Sequence, residues 1–216
     1  MAPMIHPTLN RILLVACLGV GCASGAREAA PAPQSTATIE PSAAERDQVS
    51  AQAAAAINPF KKKLSEALTN AIQQGGPLAA IDVCSREAPS LAAAASTPTT
   101  KIGRSALKLR NPQNAAQDWL RPVLSDFAAL PSAEGAQRVV RLPDQRFGYA
   151  EAITLKPQCA VCHGSDVAAP IVEKIKERYP NDQAMGFQPG QLRGVFWAEV
   201  ALAKRIERGD PVAKRV

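Results

Sequence analysis

Cys159-Ala160-Val161-Cys162-His163 is a run whose residue types and spacing prescribe one chemistry. Two thiols three positions apart reach the two vinyl groups on one edge of a porphyrin and form thioethers with them. The adjacent imidazole then falls over the iron as its fifth ligand. Two other chemistries use paired cysteines. A structural zinc site needs four ligands in a closed shell, and beyond the leader described below only Cys84 accompanies Cys159, Cys162 and His163, with no second paired half. A dithiol redox site favours a helix N-terminus, where thiolate is stabilised. Here the pair trails an expected strand and precedes the next expected helix by several residues. The motif therefore reads as the attachment point of one covalent haem c.

A second axial ligand is harder to read. His6 lies in the leader, so counting excludes a second histidine. Met185, Cys84, a lysine, and a vacant or water-bound position remain open. Met185 sits in the loop Ala184-Met185-Gly186-Phe187 and equally suits the role of an apolar gap-filler. Cys84 lies on an expected inward helix face beside Ile81 and Ala88, where a packed thiol is ordinary. If Cys22 is lipidated and Cys159 and Cys162 hold haem, Cys84 is the odd thiol in an oxidising compartment, and iron would give it a partner.

The elements that must hold this site follow from periodicity. Ser42-Ala43-Ala44-Glu45 has the pattern of a capping box opening a helix. Asn58-Pro59 is expected to interrupt or kink it. Phe60, Leu64, Leu68 and Ile72 form one face. Gly75-Gly76 ends the helix, and Pro77 suits the first turn of a second one. That second helix is lined by Leu78, Ile81, Cys84, Ala88 and Leu91, so the pair predicts an αα-hairpin. Lys101 to Arg110 alternates like a strand, with Arg104, Ala106, Lys108 and Arg110 on one side. Asn114 with Gln117 has the look of another capping box, before a helix face of Trp119, Leu120, Val123, Leu124 and Phe127 that Pro122 is expected to kink or break. Gln137–Leu142 and Arg146–Leu155 predict a hairpin around Pro143-Asp144. Ala169–Arg178 predicts a helix and Leu192–Leu202 a final strand. The sum is α+β, with helices before and between antiparallel strands.

The chain has 216 residues, formal net charge +6 and 4% aromatics. That suits a single helix-rich core and acidic partners or an anionic surface. No basic-aromatic interleaving of the kind that grips nucleic acid is present. Arg11 followed by the apolar run Ile12–Val20 and small residues has the form of an export signal, too short to remain as a membrane span. Leu18-Gly19-Val20-Gly21-Cys22 resembles a bacterial lipoprotein cleavage box, with Gly19 where an aliphatic residue is usual. The expected organisation is a signal peptide over 1–21, an Ala/Pro/Ser/Thr-rich tether over 22–41, a haem domain over 42–203 and a basic tail over 204–216. Cys22 would be the lipidated residue and the domain periplasmic, held to the membrane by that anchor.

Several segments are similar, in order and spacing, to one family. They are Ala80-Ile81-Asp82-Val83-Cys84 with Ala88-Pro89; Arg104–Pro112 with Asn114 and Trp119; Cys159–Gly164; Tyr179-Pro180; and Leu192-Arg193-Gly194. The family is the PAS-like mono-haem c-type cytochromes, catalogued as a domain of unknown function and found also as the extracytoplasmic sensor part of histidine kinases. The resemblance spans about residues 45–203. It implies a PAS-like antiparallel sheet flanked by helices, preceded here by the N-terminal helical hairpin, with haem held against it. It also implies His/Cys axial ligation, with the family's cysteine falling on Cys84.

The expected function is single-electron transfer by an exported mono-haem cytochrome to a redox partner protein, an acidic one by charge. Arg104, Lys108 and Arg110 are candidates to pair with haem propionates. The alternative is a redox or gas sensor acting through a partner protein. An enzyme such as a peroxidase ranks last, because no distal histidine is left for acid–base work.

Overall fold

Ser42 opens the first helix as its pattern predicts. Its hydroxyl accepts the Glu45 backbone N–H (3.2 Å), and the Glu45 carboxylate accepts the Ser42 N–H (2.8 Å). In the computed structural model, which describes residues 40–202, this helical segment (α1) spans Ala43–Ala95. Its dihedrals leave the helical region only at Gly76, with φ 70° and ψ −171°. Phe60 and Ala88 nonetheless belong to one core cluster. A straight helix would separate them by roughly 40 Å at 1.5 Å per residue, so the chain folds back at Gly76 into the expected hairpin. Pro77 follows the break, where its missing N–H costs nothing.

Pro59 does not break the first arm. Both Pro59 and Ala55, the residue whose carbonyl loses its donor, face solvent, while Ile57 and Phe60 on the opposite side are buried. The freed carbonyl thus belongs to a solvent-facing residue, and packing holds the helix on either side of the proline. The apolar face runs out before the tip: Phe60 and Leu64 are buried, but Ile72 is 46% exposed.

Four antiparallel strands follow: β1 (Thr100–Ser105), β2 (Gln137–Arg141), β3 (Arg146–Thr154) and β4 (Leu192–Ala201), in the order β1-β4-β3-β2. One row of the register, Ile102↔Ala198↔Tyr149↔Val139, crosses all four strands and is buried against α1. On the other face Ala150 and Val195 meet Leu120, Val123, Leu124 and Phe127 of α2 (Leu120–Ala129). Side chains alternate across the sheet, so each strand feeds both cores. Among the described residues no helix is long and apolar enough to cross a membrane.

Three expectations are corrected. The strand over Lys101–Arg110 stops at Ser105, whose hydroxyl donates to the Asn114 carbonyl (2.8 Å) and turns the chain off the sheet. Asn114 caps no helix but ends a 3₁₀ turn, Pro112–Asn114, capped by Asn111. α2 begins after Trp119, which puts Pro122 in its first turn, where no kink is needed. The hairpin β2–β3, helix Ala169–Arg178 and strand β4 lie where the periodicity places them. The leader, Cys22, all but the end of the tether, and the basic tail lie outside the described residues.

Candidate functional site

Strand β3 delivers the chain into a 3₁₀ turn, Pro157–Cys159, and then into a short helix, α3 (Ala160–His163). The cysteine pair thus has its own helical turn rather than standing clear of one. Cys159 and Cys162 lie three residues apart across it, unpaired with one another. Cys159 packs against the cluster of Leu155, Ala184 and Phe187, and Cys162 against that of Ile81, Ile171, Ile175 and Tyr179. Burial pushes the Cys162 thiol up, the opposite of what an activated dithiol needs. Gly164 closes the turn, because a Cβ there would sit 2.6 Å from the Ala160 carbonyl oxygen.

His163 is held from behind. Phe187 N–H donates to its carbonyl (3.0 Å), and Gly186 N–H to that of Gly164 (2.9 Å). Its ring Nδ1 lies 2.7 Å from the Ala184 carbonyl oxygen and 3.2 Å from Arg193 Nε. Nδ1 cannot accept from Arg193 Nε–H and donate to the Ala184 carbonyl at once; the shorter contact, 2.7 Å, assigns the hydrogen to Nδ1, which then donates to Ala184. Nε2 is then the lone-pair nitrogen, and among the described residues it has no hydrogen-bond partner. Burial first, then the Arg110 and Arg193 charges, lowers the His163 pKa to about 3. The imidazole is therefore neutral, in the tautomer and state that a metal requires.

Three arginines converge here from separate segments. Arg110 Nε donates to Asp182 Oδ1 (2.9 Å), and its Nη2 donates to the Cys162 carbonyl (2.6 Å) and the Ala184 carbonyl (3.4 Å). Arg193 donates to the Lys108 carbonyl (3.2 Å) and stands over the Phe187 ring. Arg104 lies over the Phe60 ring, 6.0 Å from its centroid. Burial pulls Arg104 below its usual range and Arg193 down to about 10. Of the three, only Arg110 has a carboxylate partner among the described residues. Three guanidinium charges against one aspartate leave a positive surplus beside the histidine, to which Lys108, over the same Phe187 ring as Arg193, adds, so the site suits an anionic group.

Cys84 faces the same cluster from the second arm of α1. Burial raises its thiol pKa, partly offset by Arg104, Arg110 and Arg193. With Arg104 it lines a cavity of about 300 Å³ bounded also by Phe60, Asn114, Gln117 and Trp197. Met185 follows Ala184, whose carbonyl engages Nδ1, and its side chain packs against the cluster of Ile81, Ile171, Ile175 and Tyr179, as Cys162 does.

The structure thus brings Cys84, Cys159, Cys162 and His163 into one neighbourhood. The expected trio of Arg104, Lys108 and Arg110 does not share a strand face: only Arg104 lies on β1, Lys108 stands over Phe187 (5.3 Å), and Arg110 is taken by Asp182. Sequence reasoning gave no role to Arg193, Asp182 or Ala184. An Asp two residues before the backbone N–H it accepts is a local turn signal that marks Asp182.

These features define the class: an α+β domain with a four-stranded antiparallel sheet between helices, carrying a C-x-x-C-H turn under an arginine cluster. Residues 34–201 match the model of the Tll0287-like family, and the chain belongs to that family, bearing out the resemblance drawn from its motifs. It is similar in fold to the crystal structure of the cyanobacterial haem protein Tll0287, at 22% identity and a TM-score of 0.50, covering 68% of this chain and 93% of that one. No curated protein sequence matches it.

Proposed function

We propose that this protein is an exported mono-haem c-type cytochrome that transfers single electrons. Haem is attached through Cys159 and Cys162, with His163 as one axial ligand and Cys84 as the other. The observation that carries this reading is the setting of His163: an imidazole next to Cys162 and one helical turn from Cys159, its Nδ1 2.7 Å from the Ala184 carbonyl oxygen and its Nε2 without a hydrogen-bond partner among the described residues. The positive surplus supports it as well, because haem brings two propionates, and Arg104 and Arg193, the guanidinium groups without a carboxylate partner among the described residues, would meet them. Bound haem supplies one-electron ferric/ferrous chemistry.

The chain's residues do the rest. Ala184 fixes the imidazole's tautomer and orientation, and Cys84 would supply a thiolate sulfur from the second arm of α1. The buried cluster Ile81, Ile171, Ile175 and Tyr179 keeps water from one side of the turn. Gel-resolved, denatured protein extracted with acidified acetone is expected to retain haem and stain for it. Haem that leaves with the solvent overturns covalent attachment, and Cys159→Ala with Cys162→Ala is expected to lose it.

The same reading extends to location and partner. The apolar leader and the tether behind Cys22 support a lipid-anchored periplasmic protein, and the net charge of +6 supports an acidic redox partner. Wild type is expected to partition with membranes and Cys22→Ala with the soluble fraction. Equal partitioning of both overturns the anchor.

A further inference from the structure

We propose that Arg110 is a positioning residue for the His163 imidazole, and that the Arg110–Asp182 pair sets the strength of the bond behind that ring. The proposal rests on the haem reading above.

One guanidinium spans both ends of the ligand's support. Arg110 Nη2 donates to the Cys162 carbonyl at 2.6 Å, which belongs to the peptide carrying His163, and to the Ala184 carbonyl at 3.4 Å, which receives the Nδ1–H. Its Nε is fixed by Asp182 Oδ1 at 2.9 Å, and the same oxygen accepts the Ala184 N–H at 3.2 Å. Next door, the Leu109 carbonyl accepts the Gln183 N–H at 2.8 Å. Arg110 and Asp182 are 10% and 2% exposed, so neither charge has water to replace a lost partner.

This arrangement does more than hold a loop. The Ala184 carbonyl divides its lone pairs between His163 Nδ1–H and Arg110. Without Arg110 the carbonyl serves the imidazole alone, the ring gains anionic character, and it donates more charge to a metal on Nε2. Removing a cation beside the site acts in the same direction, since both favour the ferric form. Loss of Asp182 does the reverse, because it leaves Arg110 uncompensated and favours the ferrous form. A pair that served only to pack the loop would disturb the site in the same sense whichever member was removed.

The test is the reduction potential and the ferric electron paramagnetic resonance spectrum of purified holoprotein. Arg110→Met is expected to lower the potential and Asp182→Asn to raise it. Arg110→Lys keeps the charge but loses the fork, so it is expected to hold the potential near wild type while broadening the ferric g-values as the ring orientation loosens. Shifts of the same sign in Arg110→Met and Asp182→Asn, or none in either, overturn the proposal. Should Arg110→Met fail to accumulate, Asp182→Asn and Arg110→Lys decide it: an unraised potential in the first, or an unbroadened spectrum in the second, is the contrary result. A wild-type protein that fails to stain for haem would mark the failure as that of the haem reading instead.

Discussion

The Ala184 carbonyl oxygen lies 2.7 Å from His163 Nδ1, on the side of the ring remote from Nε2. Met185, the next residue, packs against the cluster of Ile81, Ile171, Ile175 and Tyr179. Cys84 comes from a different element, α1, where the charges of Arg104, Arg110 and Arg193 act on its thiol. Replacing it separates the two candidates. Cys84→Ser is expected to raise the reduction potential, because an anionic sulfur donor stabilises ferric iron, and to change the ferric spectrum while haem stays attached. Met185→Leu is expected to do neither. A shift confined to Met185→Leu would put the ligand in the loop.

Carbon monoxide divides electron transfer from sensing. With Cys84 on the iron, reduced wild-type protein is expected to show no carbon monoxide band, and Cys84→Ser is expected to gain one. A band in wild type would favour a gas sensor acting through a partner protein.

What the sequence made legible was local. The C-x-x-C-H turn, the Ser42 capping box, the break at Gly76 and helix Ala169–Arg178 each rest on residues within one or two turns of each other, where spacing alone carries the signal. Strand β1 was legible only to Ser105, because the alternation beyond it continues in residues that bend toward the site rather than along the sheet. The arginine cluster was misread for the same reason: whether Arg110 or Arg193 is unpaired depends on Asp182, 72 residues away from Arg110, and no periodicity reports such a distance. Ala184 carries no side-chain signal at all, since its contribution is a backbone carbonyl.

Gly103 sits opposite Trp197 in the β1–β4 register, and a Cβ there would lie 2.5 Å from the indole ring. Trp197 packs in the α2 core and cannot move aside without disturbing it. Gly103→Ala is expected to destabilise the fold by about 1–3 kcal/mol, the ordinary range for overpacking. Chemical unfolding of the holoprotein measures it, and an unchanged midpoint would show that the indole has room to shift.

Gly76 makes the opposite kind of demand. No atom lies within 4 Å of a Cβ built there, so space is not the constraint. Its φ of 70° with ψ −171° falls in a region that only glycine occupies freely. Gly76→Ala is expected to cost about 1–3 kcal/mol through backbone strain, while Gly135 and Gly186, also at positive φ, remain untouched as internal references. Equal unfolding midpoints for wild type and variant would mean that the hairpin turn relaxes without penalty.

Glu45 ties the first turn of α1 to the edge strand β2. Its carboxylate receives the Ser42 N–H and two contacts from Arg141 Nη2, at 2.9 and 2.8 Å. The Ser42 backbone hydrogen bond first, then that from Arg141, holds its pKa below the usual value of 4.5. A carboxyl group depressed in the folded state is protonated first in the unfolded chain. Its contribution is therefore complete above the unfolded value, and it is lost as pH falls through the folded one. Glutamine at the same position can still close the capping box, so Glu45→Gln removes the charge and keeps the cap. The variant is expected to be less stable than wild type at pH 7, with the gap narrowing as pH drops below about 4 and shrinking in high salt, as befits a solvent-facing pair. Unfolding curves at pH 7 and pH 3.5, with and without added salt, read the effect. A gap that is the same at both pH values would show that the carboxylate acts through its shape and not through its charge.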